Sequence, residues 1–326
     1  MLAYDLKVGY SCNNKCKHCV IDDSKDKLVK RRVSIDLSTE ECIRQIDMLA
    51  GTGVDTIVLT GGEVSIRKDF PILIDSCLKR GFSLTIQTNG RRLSHSSICD
   101  AVKFVEPIRF VVALHGKRAA THDAITQVKG SFDETCSGIK AMCNLGKLVV
   151  LKVVISKINI EELSEIVMLA DSLGVKYICF AFPHGQGAAR KNFEDVIPQY
   201  SILSPILKEL IKKARHYHVQ VEFEAIPFCI VPFAMQTVGE LKYFRGDTLC
   251  TQVKEETFQW SNVRKNIKRK AEQCAVCDMD VFCEGVWMEY IEVFGVKEFR
   301  PIHFPSEEKK EIIRKIRQNT ISLIRD

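Results

Sequence analysis

Short apolar runs and helical stripes alternate along the first two thirds of the chain. Residues 56–60 and 108–114 are apolar and rich in β-branched side chains, which predicts buried strands. Apolar residues then recur at helical spacing, as between residues 70 and 78. Further strands are predicted at residues 6–10, 83–88, 148–155, 175–182 and 219–225.

Two of the predicted helices begin with the pattern of a capping box. In this motif a serine side chain and a glutamate three residues later bind each other's free backbone amides. The pairs are Ser38 with Glu41 and Ser131 with Glu134. Asn159 is predicted to cap the helix that follows it. Other helices are expected near residues 94–103 and 205–216.

Six strand–helix units in succession predict an α/β fold, in which a parallel sheet curls into a partial (β/α)6-type TIM barrel. A doubly wound sheet is the alternative. In both architectures, ligands bind at the carboxyl ends of the strands. The polar or glycine-rich features that follow the predicted strands are a cysteine loop at residues 12–19, Gly61-Gly62-Glu63, Asn89, His115 and Ser156. We therefore expect one site at this edge.

The pattern changes after about residue 226. Prolines and glycines interrupt it, and cysteines concentrate between residues 250 and 283. We expect a core domain over residues 1–225 and a small Cys-rich C-terminal subdomain over residues 226–326. A terminal helix is expected after Ser306.

Composition and charge narrow the class of protein only slightly. The 326 residues carry 47 Lys and Arg against 41 Asp and Glu, a net charge of +6 that is compatible with an anionic partner and requires none. No secretory signal and no membrane-spanning stretch is evident, so a cytoplasmic protein without a membrane partner is expected.

Fourteen cysteines need a separate explanation. A reducing cytosol disfavours disulfides. Half of the cysteines lie outside the two clusters described below and are interpreted as small core residues. These are Cys42, Cys77, Cys99, Cys136, Cys143, Cys179 and Cys229.

Cys12, Cys16 and Cys19 form a C-x3-C-x2-C loop directly after the first predicted strand. A four-iron–four-sulfur (4Fe-4S) cluster takes one ligand per iron, so three cysteines leave one iron open. An open iron can chelate the amino and carboxylate groups of an amino acid. The alternative is a zinc site with His18 as fourth ligand, although the spacing is poor for a zinc finger.

This loop after the first strand, with Gly61-Gly62-Glu63 after the second, resembles the radical S-adenosylmethionine (SAM) superfamily over roughly residues 4–185. His18 stands where that family usually has an aromatic residue. The resemblance implies an enzyme that binds SAM at the open iron of a 4Fe-4S cluster. It also implies reductive cleavage of SAM to a 5′-deoxyadenosyl radical, which abstracts a hydrogen atom from the substrate.

The same resemblance suggests which residues contact SAM. Gly61-Gly62-Glu63 would meet the methionyl amino group, since glycine allows close approach and a carboxylate suits an ammonium. Weaker candidates are Asn89, His115, Lys129, Ser156 and Asn159. The plain alternatives are a turn residue for Asn89, a solvated lysine for Lys129 and a helix cap for Asn159. No residue is assigned a catalytic role.

The second cysteine cluster is Cys274-x2-Cys277-x5-Cys283, with Cys250 upstream. It resembles the C-terminal SPASM or twitch extension of radical SAM enzymes, which holds auxiliary 4Fe-4S clusters. Four cysteines suit one cluster of the twitch kind. The alternatives are a structural zinc site, and a cluster that Cys250 does not ligate, whose open iron would be free to bind substrate.

The resemblance implies radical chemistry on a ribosomal peptide or protein side chain, or on a small metabolite. In the second case the enzyme would be a dehydrogenase or epimerase of a sugar or nucleoside. A flavodoxin or ferredoxin is the expected electron donor. Because the first cysteine is residue 12, no peptide-recognition module is expected before it, and a separate recognition protein is a candidate partner.

A zinc-stabilised RNA-binding protein is the remote alternative. Basic residues crowd segments 25–32 and 264–270. Neither segment has the interleaved aromatic residues that stack on bases, so nucleic acid is not an expected partner.

Overall fold

The computed structural model describes residues 2–244 and 246–318. The strands are β1 (Leu2–Lys7), β2 (Thr56–Thr60), β3 (Ser83–Thr88), β4 (Ile108–Ala113), β5 (Leu148–Val154), β6 (Tyr177–Ala181), β7 (Gln220–Glu224), β8 (Asp247–Cys250), β9 (Phe258–Gln259), β10 (Lys268–Arg269) and β11 (Val286–Trp287). The helices are α1 (Asp22–Lys30), α2 (Thr39–Met48), α3 (Phe70–Lys79), α4 (Ser96–Val102), α5 (Ala119–Thr126), α6 (Ser131–Asn144), α7 (Leu163–Ser172), α8 (Ala188–Lys191), α9 (Phe193–Val196), α10 (Leu203–His216), α11 (Trp260–Ile267), α12 (Met288–Phe294) and α13 (Ser306–Gln318).

The main sheet has nine strands in the order β7-β6-β5-β4-β3-β2-β1-β8-β9. Neighbours from β7 to β8 are parallel, and β9 runs antiparallel to β8. Consecutive strands lie side by side because a helix returns the chain to the same edge each time. β7 and β9 are the two ends of the sheet, so the barrel is partial. The expected α/β partial barrel is confirmed.

Each strand buries one face against the helices and turns the other toward the barrel interior. In β4, Ile108, Phe110 and Val112 are buried, whereas the alternate positions Arg109 and Val111 are only partly covered. The helices supply matching apolar stripes. This alternation places the hydrophobic core between sheet and helices and leaves a more polar interior face, which is where a ligand has access.

β1 ends before the predicted strand does. Tyr10 N donates to Ile35 O at 2.9 Å and Leu37 N donates to Val8 O at 3.1 Å, so residues 8–10 pair with a loop. The sheet begins instead at Leu2, whose hydrophobicity alone did not indicate a strand.

Helices α1 and α5 were not predicted. In α1 only Leu28 is buried, so the helix has almost no apolar stripe. Its first residue, Asp22, forms an ion pair with Lys191 at 2.7 Å. Most of the basic segment 25–32 belongs to this helix. α5 is short and its apolar pattern is weak, although it holds the cysteine loop as described below.

The two predicted capping boxes have different outcomes. Ser38 is confirmed, because its Oγ accepts from Glu41 N at 3.2 Å while its own N–H donates to Glu41. The capping box predicted at Ser131 is wrong, because Ser131 is the first residue inside α6 and does not cap the helix. Asp123 replaces it: its carboxylate accepts from Gly130 N at 2.6 Å and from Phe132 N at 2.9 Å. A carboxylate from the previous helix suits the positive end of the helix dipole.

The chain beyond residue 226 adds a strand to the barrel sheet and also forms a small sheet of its own, in which β10 pairs antiparallel with β11. β8 pairs in parallel with β1, so it extends the barrel sheet past the predicted boundary. Residues 268–304 then pack beside the barrel, where the Tyr290 hydroxyl accepts from Tyr200 N at 3.0 Å. The terminal helix is α13, and residues 319–326 of the predicted subdomain lie outside the described residues. Across the ranges that the structure describes, the helices are too short or too polar to cross a bilayer.

Candidate active site

The first cysteine loop leaves the carboxyl end of β1 and is held from two sides. Lys15 N donates to Thr126 O and Lys17 N donates to Ile125 O, both at 2.9 Å, so the last turn of α5 holds the loop. Cys19 N donates to Cys16 O at 3.1 Å within the loop. Helix α5 therefore satisfies its own terminal carbonyl groups and positions the cysteines at the same time.

The three thiols lie close enough to act on each other. Burial raises the pKa of Cys16, and the neighbouring Cys19 and Cys12 raise it further. Burial also raises the pKa of Cys19 to about 11, with Cys12 contributing. Such desolvated thiols are poor thiolates without a cation, and iron or zinc supplies the missing positive charge.

Among the described residues, one group of side chains is compact enough to share a single metal ion. Four thiolates on one zinc lie about 3.8 Å apart, given Zn–S bonds of about 2.3 Å. Within residues 2–244 and 246–318, the one set of three candidate metal-ligand atoms drawn within 4.8 Å of one another is Cys179, Glu222 and Glu224. Neither cysteine cluster is such a group in the part of the chain that the structure describes.

Gly61 and Gly62 are required by packing against the cysteine loop. A Cβ at Gly61, which has φ +129°, would lie 2.1 Å from Gly9 O, and one at Gly62 would lie 2.2 Å from Ser11 O. Gly62 N and Glu63 N donate to the same two carbonyl oxygens at 2.8 Å. We predicted that these two glycines, which have no side chain, allow SAM to approach closely. In the structure they allow the backbone of the cysteine loop to approach closely.

The Glu63 carboxylate lies buried between the ends of β2 and β3. Its Oε1 accepts from Ser65 N at 2.9 Å and from Thr88 Oγ1 at 2.6 Å. Its Oε2 accepts from Asn89 N at 2.6 Å. Glu63 thus ties two strand ends together beside the cysteine loop, and its predicted contact with the SAM amino group stays a prediction.

Asn89 faces the cysteine loop, as expected. Its Nδ2 donates to Asn13 Oδ1 at 2.7 Å and lies 4.0 Å from Cys12 Sγ. The neighbouring Arg91 was not predicted to take part, yet its Nη1 donates to Asn13 O and, at 2.9 Å, to Asn14 Oδ1. A lone arginine after a strand carries no local signal for this role.

Asn159 lies at the N-cap position of a short 3-10 helix (Ile160–Glu162), but its side chain makes no capping hydrogen bond. Its Oδ1 accepts from Ser156 N at 2.8 Å, and its Nδ2 donates to His115 O and Val154 O, both at 2.9 Å. It therefore links the ends of β4 and β5. Ser156 Oγ is buried without a hydrogen-bond partner among the described residues. An unpaired buried hydroxyl is costly, and a ligand at this edge would satisfy it.

Three histidines meet beside the cysteine loop. The His18 and His115 rings lie 4.5 Å apart edge to face, and the His115 and His122 rings stack at 5.8 Å. Burial lowers the pKa of both His18 and His122 to about 4, so both are neutral at pH 7. His18 Nδ1 and His122 Nε2 have no partner in the described part of the chain, which again leaves polar atoms for a ligand. His122 carried no signal in the sequence.

Lys129 is the predicted SAM contact with the least support. It is exposed in the turn between α5 and α6. The structure thus brings Glu63, Asn89, His115, Ser156 and Asn159 to the edge where the cysteine loop lies, and leaves Lys129 at the protein surface.

The interior face of the barrel carries paired charges from β5, β6 and β7. Lys152 forms an ion pair with Glu224, and its Nζ lies 3.3 Å from Cys179 Sγ. Lys242 pairs with Glu222 at 2.8 Å. Burial opposes charge on Glu224, but the two lysines more than offset it and hold its pKa below the usual range. Cys179 is therefore part of a polar interior surface, and the ammonium of Lys152 takes the place of a metal ion there.

The C-terminal thiols also gather, with one change of membership. Cys229, Cys274, Cys277 and Cys283 line a single pocket beside the barrel. Cys250 lies elsewhere: it is buried in β8 opposite Asp5 of β1. Cys250, which was predicted to join this set, is not among the residues that line the pocket, whereas Cys229, which was interpreted as a core residue, is. No local sequence pattern links Cys229 to the other three cysteines, because it lies 45 residues before Cys274. They come together only in the folded protein.

Comparison with known proteins identifies the class. Residues 6–170, about half of the chain, match the model of the radical SAM superfamily. The chain belongs to this superfamily. SAM and a 4Fe-4S cluster are its cofactors, so the expected SAM and SAM-binding cluster are confirmed.

Relatives with curated functions match the barrel. The subtilosin biosynthesis protein AlbA of Bacillus subtilis is 26% identical over 185 residues, which cover 57% of this chain and 40% of AlbA. The mycofactocin maturase MftC of Mycolicibacterium smegmatis is 29% identical over 184 residues, 56% of this chain and 45% of MftC. The Fe-coproporphyrin III synthase of Methanosarcina barkeri is 33% identical over 169 residues, 52% and 41% respectively. The chain thus spans about half the length of the curated relatives it matches.

Solved structures share the fold over a longer stretch. Streptococcus suis SuiB bound to S-adenosylmethionine superposes with a TM-score of 0.64 at 15% identity, over 92% of this chain and 76% of SuiB. The structure of anSMEcpe with bound AdoMet and the Cp18Cys peptide gives a TM-score of 0.53 at 13% identity, over 68% and 63% respectively. At these identities the likeness establishes the fold.

Proposed function

We propose that this protein is a radical SAM enzyme that modifies a side chain of a ribosomally made peptide or protein. The observation that carries the proposal is the loop of Cys12, Cys16 and Cys19. The loop follows β1 and is held by the last turn of α5, and its three cysteines can ligate three irons of a cluster. Family membership supports the same chemistry.

The protein's own residues have the task of holding and orienting the bound groups. The two cofactors, when bound, supply one-electron cleavage of SAM and a 5′-deoxyadenosyl radical that takes a hydrogen atom from the substrate. Glu63 and Asn89 orient the edge next to the cysteine loop. Ser156 Oγ and His122 Nε2 offer unpaired polar atoms to SAM. The barrel wall excludes water from the radical.

Two findings favour a peptide substrate. One curated relative is named for the biosynthesis of the bacteriocin subtilosin and another as a mycofactocin maturase, and a related structure contains SuiB bound to its precursor peptide SuiA. The interior face also offers charges of both signs, Lys152 with Glu224 and Lys242 with Glu222, next to the site. Such a surface suits a polar chain that presents several hydrogen-bonding groups.

We also propose that residues 226–326 contain a SPASM or twitch-like unit with an auxiliary cluster. The pocket of four cysteines supports this assignment. The core domain would then be residues 1–225 together with β8 and β9, which join its sheet. A flavodoxin or ferredoxin as electron donor, a separate peptide-recognition protein and a cytoplasmic location complete the proposal.

Cleavage of SAM by purified protein tests the proposal. Anaerobically reconstituted wild type is expected to release 5′-deoxyadenosine with dithionite, and the Cys12→Ala/Cys16→Ala/Cys19→Ala variant is expected to release none. Cys42→Ala/Cys77→Ala/Cys143→Ala is the matched control, since these thiols lie on helices away from the loop. An unchanged yield from the first variant would exclude radical SAM chemistry at this loop.

Mass spectrometry decides the substrate class. A candidate peptide encoded beside this gene is expected to change mass when it is co-expressed with the wild type and not with the triple variant. A modified sugar or nucleoside in place of the peptide would exclude the peptide assignment and leave the radical chemistry intact.

A further inference from the structure

We propose that Cys229, Cys274, Cys277 and Cys283 are the four protein ligands of an auxiliary 4Fe-4S cluster, and that this cluster has no open iron. The inference rests on the auxiliary cluster of the proposed function and adds its ligand set. It replaces Cys250 by Cys229, which sequence spacing did not indicate.

Cys229 reaches the pocket from the barrel. It lies five residues after the end of β7, in a tight turn where Ile230 N donates to Pro227 O at 2.9 Å. Phe228 and Ile230 beside it are buried and anchor the turn. The cysteine therefore stands at the carboxyl edge of the sheet, on the same side as the SAM site, and faces the cysteine-rich segment.

The four thiols lie near one another. The thiol of Cys229 interacts electrostatically with those of Cys274, Cys277 and Cys283, and all four cysteines line the same pocket. This proximity is what the four ligands of one cluster require.

Backbone amides point at three of the sulfur atoms. Gly285 N donates to Cys283 Sγ at 3.4 Å, and Ile302 N donates to Cys277 Sγ at 3.3 Å. The backbone of Arg300 forms a hydrogen bond with the thiol of Cys229. Amide hydrogen bonds to the sulfurs stabilise Cys-ligated clusters and set their potentials. Residues 300–302 thus form hydrogen bonds with two of the proposed ligands, Cys229 next to the barrel and Cys277 in the C-terminal segment.

The surroundings of Cys250 are different. Its backbone belongs to β8, and the groups that act on its thiol besides burial are Asp5, Lys7, Asp247 and Arg264. No other cysteine is among them. A core position in a sheet gives the thiol no route to the pocket without breaking the pairing of β8 with β1.

Four protein ligands change what the cluster can do. The SAM-binding cluster has three cysteines and keeps one iron for SAM, whereas the auxiliary cluster would have every iron ligated by protein. Substrate would then have no iron to bind. The auxiliary cluster is left with the role of an electron carrier beside the active site.

Iron counting in a background that lacks the first cluster isolates this site. In the Cys12→Ala/Cys16→Ala/Cys19→Ala protein, about four irons per chain are expected after anaerobic reconstitution. Adding Cys229→Ala is expected to lower iron to about three or fewer, with the electron paramagnetic resonance signal of an oxidised three-iron cluster. Adding Cys250→Ala is expected to leave iron and spectrum unchanged, as a matched control.

Each result has a defined meaning. Four irons and an unchanged spectrum with Cys229→Ala, or loss of iron with Cys250→Ala, would overturn the ligand set. Zinc or no metal in the triple background would overturn the auxiliary cluster itself, while SAM cleavage by the wild type would still stand. Cys229→Ser, whose hydroxyl can ligate iron, is expected to retain about four irons with an altered spectrum, which separates ligand loss from misfolding.

Discussion

At the residue scale, Glu63 joins the ends of β2 and β3, and Gly61 and Gly62 allow this edge to pack directly on the cysteine loop. Cys12, Cys16 and Cys19 are close in sequence, so their spacing alone was informative. Gly62 and Glu63 lie beside these cysteines, as predicted, and the groups that they contact in the structure belong to the protein itself. Cys229 escaped prediction because nothing local distinguishes a ligand from a core cysteine.

Replacing Glu63 tests the network that joins β2 and β3. Glu63→Gln places an amide NH2 where a carboxylate oxygen now accepts from Asn89 N or Thr88 Oγ1. We expect a loss of about 1–3 kcal/mol in the free energy of unfolding and weaker SAM binding, with iron content retained. Chemical denaturation and SAM titration measure both. Unchanged values for both would mean that Glu63 neither supports the edge nor contacts SAM.

Gly62→Ala tests the close packing of the motif on the cysteine loop. The new Cβ would lie 2.2 Å from Ser11 O, so the loop must move. We expect reduced loading of the first cluster, read as iron bound in a Cys274→Ala/Cys277→Ala background. Gly146→Ala is the control, since its Cβ meets nothing within 4 Å although φ is +72°. Full iron loading in Gly62→Ala would contradict the packing argument.

At the element scale, long segments with a clear period were predicted well, and short charged ones were not. Strands β2 to β7 and helices such as α3 and α6 have strong apolar patterns. α1 and α5 have little apolar surface to bury, so their helical form depends on tertiary contacts. The capping error at Ser131 has the same origin, because Asp123 acts from another helix.

The loop after β6 connects the two cysteine regions. Ala188 N donates to Cys19 O at 2.8 Å, which joins the loop to the first cluster. On its other side the His184 ring stacks on Trp287 at 4.1 Å, and Gln186 Nε2 donates to Glu289 Oε1 at 2.8 Å. One short segment thus sets the position of α12 relative to the SAM site.

The acid stability of this junction depends on Glu289. Burial opposes its charge, but His184 and Gln186 more than offset it and lower its pKa from 4.5 to about 2. A depressed carboxyl pKa contributes stability above about pH 4.5 that is lost as the pH falls toward 2. We expect Glu289→Gln to destabilise the protein at pH 5, and less at pH 3.5. Denaturant unfolding at these pH values measures it. A deficit that grows on acidification would contradict the assignment.

At the scale of the whole molecule, the α/β partial barrel was predictable because its strands follow one another in the sheet. The return of β8 to pair with β1 was not, since a four-residue strand after a long excursion has no distinctive pattern. The predicted boundary at residue 226 followed the loss of periodicity and missed this return.

The two cysteine regions are expected to be separable in function. Cys274→Ala/Cys277→Ala is expected to lower iron from about eight to about four per chain. It should still cleave SAM without substrate, because the first loop lies on β1 and α5. Complete loss of SAM cleavage in this variant, with four irons still bound, would show that the second region is needed for the first step.

The most direct test of the account is the electron paramagnetic resonance spectrum of the dithionite-reduced Cys274→Ala/Cys277→Ala protein, recorded with and without SAM. Only the cluster at Cys12, Cys16 and Cys19 contributes to this spectrum. We predict that SAM changes the signal, because it binds the iron that has no cysteine, and that the Cys12→Ala/Cys16→Ala/Cys19→Ala protein shows no such change. A reduced-cluster signal that is indifferent to SAM in the first variant would contradict the central claim.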